Sequence, residues 1–555
     1  MIGLFKRWFR GWQPETLAPP PVRPAGDGVA SLRAGLSLFE TGDFAAAEGC
    51  LLRALDDRHD MAEAHCYLGQ IHRKRGEWED AADCLNLAVH FRPDYAEPYY
   101  FLALLAQHQG DDQAAMEHAA RAAALKTDYG DAHNLLGALA LSRSDIEGAV
   151  ASFKRAVECS PDHAGFLSNL GYVLIRDCGE YAPGAEYLSK AYKLNAEDPA
   201  VLANYCLVLS HEGRLEETIE ICDRLLNTNP DCHEARLNRA LALLKKARFA
   251  EAWPDYEARR HTRSNFISRP YRFAQWQGQP LAGKTLLIYA EQGLGDEIMF
   301  ASCFDEVIAQ AGRCIIECSP RLEALFGRSF PAAVVHGQLQ SGTDEQWVAA
   351  LGTVDCQIAA GSLPGLLRRQ WSDFPSHGGY LRPDSARIDY WTTRLRTLGA
   401  GPKIGLSWRG GSLSTRGGLR SLQPAMLKPL LQQKGVHFVS LQYDATAEEI
   451  SGVNGSPGGG LEHWPEAIDH LDETAALVHG LDLVITVCGA SLHLAGALGR
   501  EVWAMVPAVP EWRYLEAGER MPWYPSVRMY RQHNSGQWQD VIDQIAQALS
   551  QRYCV

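Results

Sequence analysis

The sequence lacks several features that mark common protein classes. Its 14 cysteines include no Cys-x-x-Cys pair, which argues against a disulfide framework or a zinc site and for reduced thiols. No apolar run reaches the roughly 18 residues that a transmembrane helix needs. Cations are outnumbered by anions, with a formal net charge of -14, so nucleic acid is an unfavourable partner. We therefore expect a cytoplasmic protein with no transmembrane segment.

The α/β half of the chain also lacks an Asp-x-Asp motif. Because metal-bridged binding of a diphosphate commonly uses paired carboxylates, we expect no metal site there. We expect no P-loop nucleotidase either, and we assign the glycine-containing segment Trp276–Lys284 to the connector before the first strand.

The N-terminal residues differ from the rest of the chain. Residues 1–12 combine aromatic side chains with three cations, and their apolar part is too short and interrupted for a secretory signal. They could make a weak amphipathic contact with a membrane or a partner, or stay disordered. Ala18–Pro24 is rich in proline and predicts an extended linker. We assign residues 1–27 to this segment.

A period of 34 residues runs through the next part of the chain. The turn positions are Gly42, Gly76, Gly110, Ser144, Gly179 and Gly213. Twelve residues later stand Ala54, Ala88, Ala122, Ala156 and Ala191. Two helices with glycine at the turn and a small residue at their crossing resemble the tetratricopeptide repeat (TPR) family. Seven repeats starting near 28, 62, 96, 130, 164, 199 and 233 would fill residues 28–266.

The last repeat is degenerate, because Phe249, Trp253 and Tyr256 replace smaller residues. We expect it to cap the array and to dock it onto the following domain. TPR arrays usually hold a protein partner in a groove. Asn169, Asn204 and Asn238 occupy equivalent positions, similar to the asparagine ladder of O-GlcNAc transferases, and could clamp an acceptor backbone. The alternative is that they make polar contacts between helices.

Strand-like and helix-like stretches alternate after residue 275, which predicts parallel sheets with helices on both faces. The predicted strands are 285–290, 313–318, 332–336, 354–359, 403–408, 436–441, 482–487 and 501–506. The predicted helices are 296–310, 320–327, 362–370, 385–398, 423–434, 472–480, 491–499 and 537–551. A weak point near 381–402 suggests two lobes, 275–385 and 386–555. Ligands of such sheets bind at the carboxyl ends of strands.

Three stretches resemble the heptosyltransferase-type GT-B glycosyltransferases. They are the turn Glu291-Gln-Gly-Leu-Gly-Asp296, the segment Ile404–Ser421, and the segment Asp482–Gly499. With the repeats, they are similar to bacterial proteins that join a TPR array to such a domain, some of which glycosylate flagellin. The fold class expected is therefore α plus α/β: an N-terminal TPR α-solenoid followed by a two-lobed, Rossmann-like GT-B domain whose C-terminal lobe binds the nucleotide sugar.

The resemblance implies that Asp296 is the general base, which would take the proton of the acceptor hydroxyl as it attacks. Glu291 is the reserve candidate. The alternative for Asp296 is a helix cap. Gly293 and Gly295 are expected to let the backbone turn tightly and approach the donor.

Several other residues are candidate donor contacts. Arginines and a hydroxyl in the second stretch could hold the departing phosphates, and the helix that opens the third stretch offers its N-terminus to them. These candidates are Arg409, Arg416, Arg420, Ser421, Gly489, Ser491, His493 and Glu511. A solvated loop and a packed His493 are the alternatives. Aromatic residues around Glu511 and Arg513 could wall the site or only pack the lobes together.

One departure from the family is clear. Heptosyltransferases usually have Asp-Thr-Gly where this chain has Cys488-Gly489-Ala490, so the donor or its contacts can differ. Cys488 has no recognisable base that would make it a nucleophile.

The resemblance thus implies a metal-independent, inverting glycosyltransferase without a cofactor, which uses a nucleotide sugar as donor substrate and a protein acceptor. Two alternatives stay open: a TPR adaptor with a non-catalytic GT-B domain, and a transferase acting on a lipid-linked or surface glycan.

Overall fold

A computed structural model describes residues 28–262, 269, 271–338, 347, 352–376, 378–411, 417–454 and 460–553. Within it the chain divides into two compact units, one ending at Val173 and the other starting at Leu174. Residues 1–12 and the linker Ala18–Pro24 lie outside the described residues, so their roles stay predictions, as do the predicted domain boundaries.

Residues 28–262 form fourteen α-helices. They are α1 (Gly28–Glu40), α2 (Phe44–Asp57), α3 (Ala62–Lys74), α4 (Trp78–Phe91), α5 (Ala96–Gln109), α6 (Asp112–Leu125), α7 (Gly130–Ser142), α8 (Ile146–Cys159), α9 (Ala164–Arg176), α10 (Tyr181–Leu194), α11 (Pro199–His211), α12 (Leu215–Thr228), α13 (His233–Lys245) and α14 (Phe249–Tyr256). The odd-numbered helices begin at the seven predicted repeat starts. The two-helix repeat is therefore confirmed.

The turns inside the repeats adopt a left-handed backbone conformation. The five glycines of the series have φ between 72° and 85°, which glycine reaches without steric cost. Ser144 (φ 62°) and Ala247 (φ 56°) adopt the same conformation with a side chain. The five alanines predicted at the helix crossings are all fully buried, because a larger side chain there would separate the helices.

Replacing Ser144 with glycine is expected to raise the free energy of unfolding by about 1 kcal/mol, because a non-glycine residue is strained at positive φ. The check is the urea midpoint followed by circular dichroism at 222 nm. Ser142→Gly is the matched control, since Ser142 is the last helical residue of α7 and glycine is unfavourable there. An unchanged or lower midpoint for Ser144→Gly would contradict the strain argument.

Eleven strands in the described residues form two sheets, and every pairing between them is parallel. They are β1 (Ala274–Gln275), β2 (Thr285–Tyr289), β3 (Arg313–Cys318), β4 (Ala333–Gly337), β5 (Cys356–Ala359), β6 (Lys403–Ser407), β7 (His437–Ser440), β8 (Leu461–Glu462), β9 (Leu483–Val487), β10 (Val502–Val506) and β11 (Val527–Arg531). The five-stranded order is β1-β5-β2-β3-β4, and the six-stranded order is β11-β10-β9-β6-β7-β8. All eight predicted strands are present; β1, β8 and β11 were not predicted.

Helices connect the strands of both sheets. They are α15 (Leu294–Phe300), α16 (Phe304–Ile308), α17 (Glu323–Ser329), α18 (Leu363–Leu367), α19 (Ser385–Arg396), α20 (Lys428–Leu431), α21 (Ala447–Asn454), α22 (Pro465–Ile468), α23 (Leu471–His479), α24 (Ala490–Ala497) and α25 (Gln539–Tyr553). The predicted helix 296–310 is interrupted by a 3-10 turn at Ala301–Cys303. Helices α21 and α22 were not predicted. Helix α25 buries Val541 and Ile545 in the core beside Ile404 of the second sheet.

The connector requires a correction. Gly278 to Thr285 matches the P-loop spacing Gly-x-x-x-x-Gly-Lys-Thr. The motif is therefore present in the sequence, contrary to the expectation that the chain has no P-loop. A P-loop follows a strand and opens a helix. Here Thr285 opens β2, so Lys284 lies at the amino end of that strand, at the edge opposite to the glycine turn. The expectation of no P-loop site is therefore kept on structural grounds.

Candidate functional site

The candidate site lies where the carboxyl end of β2 faces the carboxyl end of β9. After β2 the chain turns at Gly293, which has φ −73° and caps α15. A Cβ added to Gly295 would lie 3.2 Å from the His493 ring and 3.6 Å from the Cα of Ala490, both in α24. Neither glycine has positive φ. Gly295 therefore permits the close approach of two helices, and the approach of this turn to a donor stays a prediction.

Asp296 lies in the first turn of α15 and is engaged across the site by Arg513. The guanidinium donates from Nε to Oδ1 at 2.5 Å, and the two side chains are 16% and 18% exposed for Arg513 and Asp296. The guanidinium carbon lies 4.7 Å from the ring centre of Trp512. Burial alone would lower the pKa of Arg513, but Asp296 and Tyr256 raise it. This ion pair joins the segment that follows β2 in one sheet to the segment that follows β10 in the other.

Glu291, the reserve base, is almost fully buried. Arg259 donates from Nη2 to both of its carboxylate oxygens, at 2.8 and 3.0 Å, and each of the two residues is 1% exposed. Burial raises the pKa of Glu291, and the charge of Arg259 opposes that shift. This geometry favours a structural role for Glu291 over that of a base.

The degenerate last repeat packs against the α/β region, as predicted. Trp253 donates from its indole nitrogen to the carbonyl of Arg368 at 2.7 Å, and its ring meets Trp512 edge-on with centres 5.9 Å apart. Gln292 of the glycine turn donates to the Tyr256 hydroxyl at 3.0 Å. Helix α14 therefore touches both the turn after β2 and the segment that carries Arg513.

The residues of the predicted arginine loop lie in different environments. Arg409 donates to Asp444 at 2.9 Å and pairs with Glu449, so its guanidinium already forms ion pairs with two acidic side chains. Arg420 is 8% exposed and donates to the carbonyl of Cys488 at 3.3 Å, which places it beside the turn before α24. Ser421 donates to the carbonyl of Gly417 at 2.7 Å. Arg416 lies outside the described residues.

Helix α24 carries the third group of predicted contacts. Gly489 is its N-cap in an extended conformation, and Ser491 is half-buried in its first turn. His493 is 3% exposed, and its ring nitrogens lie 3.1 Å from the Tyr524 hydroxyl and 3.2 Å from the Tyr514 hydroxyl. Burial, with Arg513 and Arg420, lowers the pKa of His493 to about 3. The ring is therefore neutral, and its contacts favour the packed-histidine alternative.

Cys488 is fully buried, and burial raises the pKa of its thiol to about 12. A thiol that stays protonated at neutral pH is a poor nucleophile. This agrees with the sequence-based expectation that Cys488 is not a nucleophile. Glu511 is half-buried and precedes the 3-10 helix Trp512–Tyr514. Its charge raises the pKa of Arg513.

Sequence reasoning missed two charged groups. Arg513 was noted only as a residue that could wall the site, and its pairing with Asp296 was not foreseen. Glu297, next to Asp296, is 4% exposed and accepts from the Ser319 amide at 2.7 Å. Burial raises the pKa of Glu297 to about 7. An acidic pair at the start of a helix was the available signal for Glu297; nothing local indicated the partner of Arg513.

The asparagine series makes contacts between repeats at two of its members. Asn169 donates to Oδ1 of Asn134 at 2.8 Å, and Asn238 donates to the carbonyl of Ala203 at 3.0 Å. Asn204 is half-buried. These contacts are the alternative that the sequence left open, and binding of an acceptor backbone stays a prediction.

The tetratricopeptide repeat family matches residues 32–96 and 134–199, which indicates binding of a protein partner. Protein FlbA of Caulobacter vibrioides (strain ATCC 19089 / CIP 103742 / CB 15) is 32% identical over 411 residues, covering 70% of this chain and 67% of FlbA. No helix of the described residues combines the length and apolar character needed to span a membrane.

Solved structures match part of the chain. MamA is 24% identical and covers 31% of this chain and 92% of its own, with a TM-score of 0.26. The Cut9-Hcn1 hetero-tetramer of APC/C is 21% identical and covers 39% of this chain and 43% of its own, with a TM-score of 0.36. At these scores neither likeness carries an argument about the whole chain.

Proposed function

This chain belongs to the family of protein FlbA, and from that premise and the geometry of the site we propose that it is a glycosyltransferase. It moves a sugar from a nucleotide-activated donor to a protein acceptor held by the TPR groove, and flagellin is one acceptor that the resemblance implies. The observation that carries the proposal is the ion pair of Asp296 and Arg513 after the carboxyl ends of two parallel sheets, with Arg420 beside the turn before α24.

The proposed reaction is a single displacement in a two-lobed GT-B domain. The acceptor hydroxyl oxygen attacks the anomeric carbon as its proton passes to Asp296, and the bond from that carbon to the donor phosphate oxygen breaks. The electron pair leaves with the nucleoside diphosphate, so the configuration inverts. Arg420 and the amides at the start of α24 stabilise the charge that develops on the phosphates.

The first test is a thermal-shift panel on the purified full chain. ADP, GDP, UDP, CMP and their sugar conjugates are added to the wild type, to Arg420→Ala, and to Arg528→Ala. Arg528 is an exposed arginine of the same lobe, 54% exposed and paired with Glu519, so it controls for loss of charge. A ligand at about 100 times its dissociation constant stabilises by about 2.7 kcal/mol.

We expect one nucleotide class to raise the melting temperature of the wild type and of Arg528→Ala. Arg420→Ala should lose most of the shift, because its guanidinium lies beside the turn before α24. No shift with any nucleotide would contradict the transferase proposal. An equal shift in Arg420→Ala would contradict the assigned role of Arg420.

A TPR adaptor with a non-catalytic α/β region is the second candidate. It is favoured by the Cys488-Gly489-Ala490 departure. It is also favoured because Asp296 and His493 are already bound to other side chains of this chain. Release of nucleoside diphosphate from the donor by the full chain would decide between them, since an adaptor can bind a nucleotide sugar without consuming it. For the surface-glycan alternative, the deciding observation is transfer to glycan with no modified protein.

A further inference from the structure

We propose that Arg513 serves two ligands in turn: the Asp296 carboxylate, which it holds in this structure, and the phosphates of the nucleotide donor, which displace that carboxylate. The inference rests on the proposed function and adds an order of events to it. Donor binding would release the base, and the acceptor would be deprotonated only afterwards.

Because Asp296 and Arg513 bind each other, any other ligand of either side chain must compete with this contact. Both Nε and Nη2 of Arg513 approach the same oxygen, Oδ1 of Asp296. A carboxylate oxygen that accepts two guanidinium N–H groups has little room to accept the proton of an attacking hydroxyl. Oδ1 therefore becomes available to act as the general base only when Arg513 leaves it.

The surroundings of Arg513 suit a phosphate better than a permanent structural pair. A guanidinium fork matches two phosphate oxygens, and such charge-assisted bonds are strong. The side chain is 16% exposed, so it can be reached from solvent. The Trp512 ring beside it can support the guanidinium plane while its partner changes.

A second cation, Arg420, lies near helix α24. Arg420 donates to the carbonyl of Cys488, at the turn before α24, and the charges of Arg420 and Arg513 both act on His493 of that helix. Because His493 is neutral, it adds no charge of its own. Both arginines therefore lie near α24, and Asp296 pairs with Arg513 through a single negative charge. A diphosphate carries more charge and can engage both arginines.

The test is a double-mutant cycle on the full chain, read out as the dissociation constants of ADP, GDP and UDP. The variants are Arg513→Met, Asp296→Asn and their combination. Arg513→Met should weaken the nucleoside diphosphate that binds by at least about tenfold. Asp296→Asn should tighten it about fivefold, because a larger fraction of the protein then has Arg513 available. Arg513→Met/Asp296→Asn should bind as weakly as Arg513→Met.

The controls separate this inference from the proposed function. The matching nucleosides, which lack phosphate, should bind all variants alike, and Arg528→Met should bind like the wild type. If Asp296→Asn does not tighten binding, or tightens it equally in the Arg513→Met background, exchange at Arg513 is wrong while the transferase proposal stands. If the wild type binds none of the nucleotides, both are wrong. Asp296→Asn keeps its side-chain shape, so the comparison of Asp296→Asn with the wild type does not depend on Arg513→Met folding.

Discussion

Arg259→Met is expected to lower the free energy of unfolding of the second unit by about 3–5 kcal/mol at pH 8, the cost of removing one partner of a buried ion pair. Glu291 would then remain at 1% exposure without the guanidinium that reaches both of its oxygens. Urea unfolding followed by tryptophan fluorescence measures the loss, since Trp253 and Trp512 both pack against Tyr256, whose ring lies under the Arg259 guanidinium.

Glu291→Leu is expected to cost less than Arg259→Met, because Arg259 also donates to Glu257 at 2.8 Å and keeps that partner. Arg259→Met/Glu291→Leu should recover much of the loss, since apolar replacements remove both charges from the interior. The matched control is Arg248→Met. It breaks an exposed pair with Glu251 near the start of α14 and should cost less than about 1 kcal/mol. Equal effects of Arg248→Met and Arg259→Met would contradict the argument.

The loss in Arg259→Met should depend on pH in a defined direction. Burial raises the pKa of Glu291, and removing Arg259 removes the charge that opposes this shift. A carboxyl group with a raised pKa in the folded state binds a proton more tightly when folded, so it destabilises the fold as pH rises above its unfolded pKa. The deficit of Arg259→Met relative to the wild type should therefore be smaller at pH 5 than at pH 8. Glu291→Leu should lack this dependence.

The parts of the fold that the sequence predicted are those governed by local patterns. A 34-residue period with glycine at a left-handed turn specifies each helix pair, and Ser144 was placed correctly because position outweighs residue type there. Apolar runs of five or six residues predicted the central strands. Strand β11 was missed because Arg528 and Arg531 interrupt its apolar residues, and β1 and β8 are only two residues long.

The site was predictable only in part, because its contacts are long-range. The glycine turn and the α24 turn were located from their sequences, but Arg513 and Asp296 are 217 residues apart. His493 meets Tyr514 and Tyr524, 21 and 31 residues further along the chain, and no local pattern indicates such partners. The same applies to Glu291, whose partner Arg259 lies in the last repeat. Catalytic roles were predicted for Asp296 and Glu291 from their place in a motif, but in the structure each carboxylate is paired with an arginine.

Asp296→Asn is expected to lower sugar transfer by about 10²–10⁴-fold, the usual contribution of a general base. The asparagine keeps an oxygen that can accept from Arg513, so the fold should persist, but it cannot take the acceptor proton. The measurement is single-turnover release of nucleoside diphosphate from the sugar nucleotide found in the panel, with the intact mass of the acceptor as a second readout. Full transfer by a folded Asp296→Asn would remove the proposed mechanism.

Glu297→Gln is the matched control, since it neutralises the neighbouring carboxyl of the same helix. Glu297 is buried and accepts from the Ser319 amide, and glutamine preserves its size and its acceptor oxygen. It should retain most of the transfer rate. A large loss in Glu297→Gln with little in Asp296→Asn would assign the proton to the other carboxyl group, whose pKa burial raises to about 7.

Binding and catalysis should separate in Asp296→Asn if Arg513 changes partners. Loss of the carboxylate removes the base, which lowers kcat, and it also makes Arg513 more available to the donor phosphates, which lowers the donor KM. A substitution that merely disturbed the site would lower kcat and raise KM together. Opposite effects on catalysis and donor affinity from one substitution would therefore connect the ion pair seen between the two sheets to both steps of the proposed reaction.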